Sequence, residues 1–356
     1  MSSKATAAGV AATTSANSMR FMQLALASAV LFSVMYMWQF MAASVAPSDT
    51  ASVAVVDGGA AAGGGTGVIH RDRVLAHTQY VVQGFEEAHK FVREYNVETQ
   101  GPLFMLFMSD ANENGTYWHP DCEKAKQPIY DTFKRSPRGS RIVEVRIGLE
   151  PFWADMMNPF RQNQLFYIDF IPTVMRYEGG GNSTALLAGP YCRDINLLEY
   201  VFRVNKPAAG EPHANKVYNL HTPQQVLDYT ALYDNSYPLF IFFISGVHFF
   251  NGRLWCPFCD KADVAVMHYF NYTAPESAVL LRTVVATHSR EWFEEYNPFV
   301  SQEFADRFLE FDGVPYLGFV TKNGSEMKPI VREYASAYED KTKLQQFFLQ
   351  QPPAKP

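Results

Sequence analysis

Five segments of this chain occur twice, in the same order and at nearly constant separation. Trp118-His119-Pro120-Asp121-Cys122 is matched 137 residues later by Trp255-Cys256-Pro257-Phe258-Cys259. The apolar run Leu103–Met108 is matched by Leu239–Ile244, and Arg141–Ile147 by Val279–Val285. Trp153 followed by Asn158-Pro159-Phe160 has its partner in Trp292 followed by Asn297-Pro298-Phe299, and Ile171-Pro172-Thr173 in Val314-Pro315-Tyr316. The offset drifts from 137 to 139 to 143 along the chain, as expected when loops lengthen between fixed elements. A chain of 356 residues has room for about two domains at roughly 150 residues each. The repeat says that both are copies of one alternating β/α unit.

Within each copy the apolar pattern places the elements. Tyr80-Val81-Val82 opens the first, and Gly84–Tyr95 carries Phe85, Ala88, Phe91 and Val92 at helical spacing. Val217-Tyr218 opens the second, followed by Thr222 as a helix N-cap and Pro223 at the first helical position. The uninterrupted apolar runs 103–108 and 239–244 suit central strands covered on both faces. Strands are also predicted at Val174–Tyr177 and Leu317–Val320, each behind its proline. The expected units are 78–205 and 214–352, separated by a seam at Lys206–Ala214 marked by Pro207, Gly210 and Pro212.

Upstream, Phe21–Ala46 holds no charged residue, and a helix crosses a ~30 Å hydrocarbon core in about 20 residues. The expectation is a transmembrane signal-anchor over 21–46 after a tail of residues 1–20, with a flexible Gly/Ala linker over 47–77. Cleavage after Ser44-Val45-Ala46 is the competing reading. Lys4 and Arg20 precede the span, while Asp49 and Asp57 follow it. The positive side stays cytosolic, so both domains should face a lumen of the secretory pathway, the endoplasmic reticulum being the expected membrane. Sequons at Asn114, Asn182, Asn271 and Asn323 agree with that side as possible glycosylation sites. A mitochondrial presequence is the rival, although two basic residues are few for one. The net charge of −6 and the lack of a clustered basic face argue against nucleic-acid binding.

The chemistry lies at residues 255–259. Only a thiolate attacks a disulfide, and a cysteine at a helix N-terminus gains thiolate character from unpaired N–H groups and the helix dipole. A two-residue spacer brings a second thiol within bridging reach one turn later. Proline suits the first helical turn, where its missing N–H costs nothing. These considerations make Cys256 the nucleophile and Cys259 the resolving thiol. The alternatives are a structural disulfide or half of a zinc site, and the chain offers no second Cys-x-x-Cys to complete the latter. No metal and no organic cofactor is expected, since a dithiol carries its own electrons.

Both copies resemble thioredoxin domains, specifically the small thioredoxin-related proteins with a Trp-Cys-Pro-Asp-Cys site. The first resembles them more closely, through the polar loop Ser109–Tyr117 before Trp118, Gly148-Leu149-Glu150-Pro151-Phe152-Trp153, Asn158-Pro159-Phe160-Arg161 and Ile171-Pro172-Thr173. The resemblance implies an α/β fold with a central mixed sheet flanked by helices in each of two tandem domains. It also implies that Pro172 and Pro315 are cis and line a groove, so that Trp255, Val314 and Pro315 would form the substrate groove beside Cys256. In the first copy His119 stands at the nucleophile's place, which leaves Trp118, His119, Cys122 and Pro172 as a degenerate site. Three readings of it stay open: a redox-dead binding module, a Cys122–Cys192 pair, or a one-thiol or metal role. The second copy has Phe258 where those relatives carry an acid. No acid occurs in Leu239–Ile244 either, which leaves the proton route of Cys259 to water or His248. The expected function is a membrane-anchored disulfide oxidoreductase acting on cysteine-containing protein clients with an unidentified redox partner. A non-catalytic client-binding scaffold is the alternative.

Overall fold

The computed structural model describes residues 77–204, 215–293, 296–323, 328–335 and 338–353. The predicted tail, transmembrane helix, seam and all of the linker but His77 lie outside the described residues. Among the described residues no helix is long and apolar enough to cross a membrane.

The first sheet contains β1 (Thr78–Gln83), β2 (Leu103–Met108), β3 (Arg141–Arg146), β4 (Thr173–Gly179) and β5 (Asn182–Ala188), in spatial order β1-β3-β2-β4-β5. The strands β1, β3 and β2 are parallel, and β4 and β5 add antiparallel. Its main helices are α1 (Gly84–Glu94), α2 (Pro120–Phe133) and α3 (Ile195–Val201). The second sheet repeats the plan with β6 (Lys216–Leu220), β7 (Leu239–Ile244), β8 (Val279–Val284), β9 (Tyr316–Thr321) and β10 (Ile330–Glu333), ordered β10-β9-β7-β8-β6. Around it lie α4 (Pro223–Leu232), α5 (Pro257–Thr273) and α6 (Lys341–Phe348). The molecule is thus α/β with two mixed five-stranded sheets flanked by helices, in agreement with tandem thioredoxin-like domains.

The sequence pattern explains the central strands. All six residues of β2 and all six of β7 are buried. In β7, Phe240, Phe242 and Ile244 face one core while Leu239, Ile241 and Phe243 face another, as the two-residue period of a strand requires. The run is continuous because neither face meets water. The helix α4 starts in a reciprocal capping box, Thr222 accepting from Gln225 N–H and the Gln225 side chain accepting from the Thr222 N–H, with Pro223 in the first turn.

The described residues belong to one compact unit. The face of β7 carrying Phe240 and Phe242 shares a continuous apolar cluster with the core of the first domain. Helix α5 packs against β5 and α3. Arg253, from the loop before α5, crosses the junction and donates to the carbonyls of Phe166 and Tyr167 at 2.5 and 2.7 Å. Asn251 donates to the Gln164 carbonyl at 3.2 Å, and the Ser183 N–H donates to the Asn251 carbonyl at 3.1 Å. The tyrosine hydroxyl of Tyr269 donates to Asp194, which also receives Lys341 at 3.4 Å.

Candidate functional site

Each tryptophan-led motif sits between the end of a central strand and the start of a long helix, and the same contacts hold both. Trp255 donates its indole N–H to the Ala286 carbonyl at 3.1 Å, and Trp118 donates to the Gly148 carbonyl at 2.9 Å. The N–H of Cys256 donates to Ser245 Oγ, and that of His119 to Ser109 Oγ, both at 3.2 Å. Gly246, directly after Ser245, lies so close to the next strand's loop that an added Cβ would stand 2.3 Å from the Thr287 carbonyl oxygen. Only glycine lets the loop close there.

Cys256 is the N-cap of α5, with Pro257 in the first turn. Cys256 retains 7% exposure, whereas Cys259 is fully buried. The Cys259 thiol donates to Cys256 and is the main cause of a Cys256 pKa lowered from 9.0 to about 7. The N–H groups of Phe258 and Cys259 add to the effect and burial opposes it. Burial, reinforced by the neighbouring Cys256, pushes the Cys259 thiol well above its ordinary value. The two thiols are therefore unlike: Cys256, slightly exposed, is the more acidic, and Cys259, fully buried, is held in its protonated form.

The peptide bonds Ile171–Pro172 and Val314–Pro315 are both cis. Cys256 Sγ stands 3.5 Å from the Val314 carbonyl oxygen. Phe258 leaves 62% of its surface exposed and approaches Phe170 of the first domain at a ring separation of 5.9 Å.

The first motif has the same frame, with a histidine at the helix cap where the second has Cys256. His119 caps α2 as Cys256 caps α5, with its imidazole edge-on to Trp118. Burial lowers the His119 pKa, and its buried Nδ1 has no hydrogen-bond partner among the described residues. Cys122 is fully buried, accepts from the Ser109 N–H at 3.4 Å and is pushed up to about 11 by burial. Cys192 is also buried, its thiol facing the carbonyls of Leu187 and Pro172 at 3.3 and 3.5 Å. All four cysteines are free thiols. Among the described residues no group of three or more His, Cys, Asp or Glu side chains could hold a metal ion.

Several residues at the site escaped the sequence reasoning. Ser109 and Ser245 recur one residue after each apolar strand, a signal the repeat carried. Asp260 is the more consequential. It directly follows Cys259, is held by Arg253 at 3.3 Å, and has its pKa raised by burial to about 6. Its charge acts on Cys256. His248 instead stacks on Phe250 and meets Tyr167 edge-on, and burial with the nearby Arg253 lowers its pKa to about 4. In the first domain a buried acid does occur, but on β3: Glu144 accepts from Tyr117 at 2.7 Å and from Tyr130. The corresponding position of β8 is Arg282, paired with Asp263 at 3.1 Å. Of the sequons, Asn114, Asn182 and Asn323 are exposed, while Asn271 is half-buried within α5.

Residues 81–204 match the family model described as thioredoxin domain-containing protein 17-like, thioredoxin domain. The chain is 30% identical over 121 residues to thioredoxin domain-containing protein 17 of Homo sapiens, a match covering 34% of this chain and 91% of that protein. It is 31% identical over 77 residues to the thioredoxin-like protein Clot of Arabidopsis thaliana, covering 21% of this chain and 58% of that protein. Among solved structures, full-length ERdj5 aligns with 75% of this chain and 31% of its own, at 10% identity and a TM-score of 0.27.

Proposed function

The chain belongs to the thioredoxin domain-containing protein 17-like family, and on that premise we propose that its second domain exchanges thiols and disulfides with cysteine-containing polypeptides. The observation that carries the reading is the asymmetry of Cys256 and Cys259: a thiolate-prone nucleophile at a helix N-cap beside a cis-proline, and a buried partner one turn on. In the reducing direction, Cys256 attacks one sulfur of a client disulfide and the other client sulfur leaves as a thiolate. Cys259 then attacks Cys256 Sγ, closing the Cys256–Cys259 disulfide and releasing the second client thiol. Two electrons pass from the dithiol to the client, and the reverse sequence oxidises a client dithiol. Cys259 must lose its proton in the second step, and we propose as acceptor Asp260, the next residue along α5, whose charge acts on Cys256. Trp255 covers the motif, while Val314 and Pro315 align the client strand.

The first domain, with His119 in place of a nucleophile, binds or positions rather than reacts. The proposal extends to an N-terminal membrane anchor with both domains luminal, where Asn114, Asn182 and Asn323 are exposed for glycan addition. A client-binding scaffold is the second reading, favoured by the spent chemistry at His119 and Cys122. Trapping separates the two. With Cys259→Ala the enzyme accumulates mixed disulfides through Cys256; if none form, and Cys256→Ala leaves cellular function intact, the scaffold reading stands. Protease-accessible domains in sealed microsomes, with no glycan on any sequon, would remove the luminal assignment.

A further inference from the structure

A cavity of about 270 Å³ opens beside the dithiol, bounded by Phe258, Val314, Pro315 and Tyr338 of the second domain and by Tyr191 of the first. For scale, an apolar cavity of about 150 Å³ accepts a benzene ring. The Val314 carbonyl connects it to the nucleophile, lying 3.5 Å from Cys256 Sγ. The polar groups of the second domain around it are engaged: Tyr338 donates to the Pro315 carbonyl at 3.1 Å, and Lys261 pairs with Glu339 at 2.6 Å. Lys261 also lies over the Phe170 ring at 4.3 Å. The wall is therefore aromatic and its rim charge is balanced, which disfavours a charged occupant that would surrender its hydration.

Tyr191 is the exception. It lies in the 3-10 turn Gly189–Arg193 after β5 and is 2% exposed, yet its hydroxyl has no hydrogen-bond partner among the described residues. A buried donor left unsatisfied costs folding free energy, and a ligand acceptor removes that cost. Resting on the exchange reading above, we propose that this cavity is the client pocket of the second domain and that Tyr191 determines its specificity. An apolar side chain flanking the client cysteine enters between Phe258 and Tyr338 and parts them, and the Tyr191 hydroxyl, sealed from solvent in this structure, then donates to a backbone carbonyl of the same extended segment. The first domain then contributes one wall of the other domain's substrate site, which gives the redox-dead copy a function.

The test uses the reduced full-length chain and three disulfides: dimers of a heptapeptide with leucine beside its cysteine, the same with serine, and hydroxyethyl disulfide, which is too small to span the pocket. Wild type prefers the leucine peptide. Tyr191→Phe, which keeps the ring and deletes the hydroxyl, lowers kcat/KM for both peptides about two- to tenfold, the range of one lost hydrogen bond. Tyr191→Ala abolishes the preference for leucine. Neither variant changes the rate with hydroxyethyl disulfide. A matching loss on the small disulfide, or unchanged peptide rates in Tyr191→Phe, overturns the assignment. A wild type inert to all three disulfides overturns the exchange reading beneath it.

Discussion

Removing the Cys259 thiol tests the asymmetry of the dithiol directly. With a pKa of about 7, Cys256 is about half ionised at pH 7, against roughly 1% for a thiol at 9.0. Intrinsic nucleophilicity falls with a Brønsted coefficient of about 0.4–0.5, so two units of acidity cost about six- to tenfold in reactivity per thiolate. Net alkylation at pH 7 should exceed that of an ordinary cysteine about five- to eightfold. Cys259→Ala deletes the hydrogen bond that contributes most to the low value. A hydrogen bond to a charged group is worth about 1.5–3 kcal/mol, or about one to two pKa units. Cys256 borders solvent and keeps two backbone donors, so the lower figure applies and the midpoint should rise by about one unit. At pH 7 the thiolate fraction falls about fivefold while each thiolate becomes about threefold more reactive, leaving less than a twofold change in rate. The readout is therefore the pH profile of iodoacetamide alkylation between pH 5 and 10, followed by mass spectrometry of the peptide Leu254–Lys261. Cys122 and Cys192, buried with raised pKa values, serve as unreactive controls. A wild-type midpoint near 9, or one that Cys259→Ala leaves in place, would refute the reasoning. The sign of the linked stability follows: a pKa depressed on folding stabilises the reduced protein above pH 9, and that contribution is lost as pH falls through 7.

Arg253→Met should destabilise the protein by about 3 kcal/mol in denaturant unfolding, because it leaves a largely buried carboxylate without its partner. Arg253→Met with Asp260→Leu should recover most of that loss, and failure to recover would place the cost in the lost carbonyl contacts. His119→Cys should create a disulfide with Cys122, since the frame matches that of Cys256 and Cys259; a thiol-labelling mass shift that persists under oxidant would refute it. His248 takes up its proton near 6.5 when unfolded and only near 4 when folded, so stability should fall as pH drops between those values. His248→Phe should flatten that limb of an unfolding-versus-pH curve, and an unchanged limb would assign it to other groups.

What could be read from the residues alone was periodic or local. Six consecutive apolar residues at 103–108 and 239–244 can only be satisfied between two covered faces, and the strands formed there. The cis-prolines at Pro172 and Pro315 and the helix starts at Pro120 and Pro257 came with the repeated motifs and the family resemblance. The edge strands were harder. β5 opens on the polar Asn182-Ser183-Thr184 before its buried Leu186-Leu187-Ala188, and β10, Ile330–Glu333, is mostly exposed, so neither carries an apolar pattern along its whole length; each is held by pairing to its neighbour.

The sequence by itself determined that two copies of one fold exist and that one intact dithiol lies at a helix start, because repetition, apolar period and cysteine spacing are properties of the chain in order. Only the tertiary structure decided the surroundings of that dithiol. Asp260 is held by Arg253, which also reaches carbonyls of the other domain, and backbone carbonyls leave no mark in a sequence. Tyr191 lies 65 residues before Cys256 and in the other repeat, and it reaches the same cavity only because β5, which leads into its turn, packs on α5. The intact Cys256–Cys259 pair can be found by reading along the chain, but the walls around it exist only once the two domains have docked.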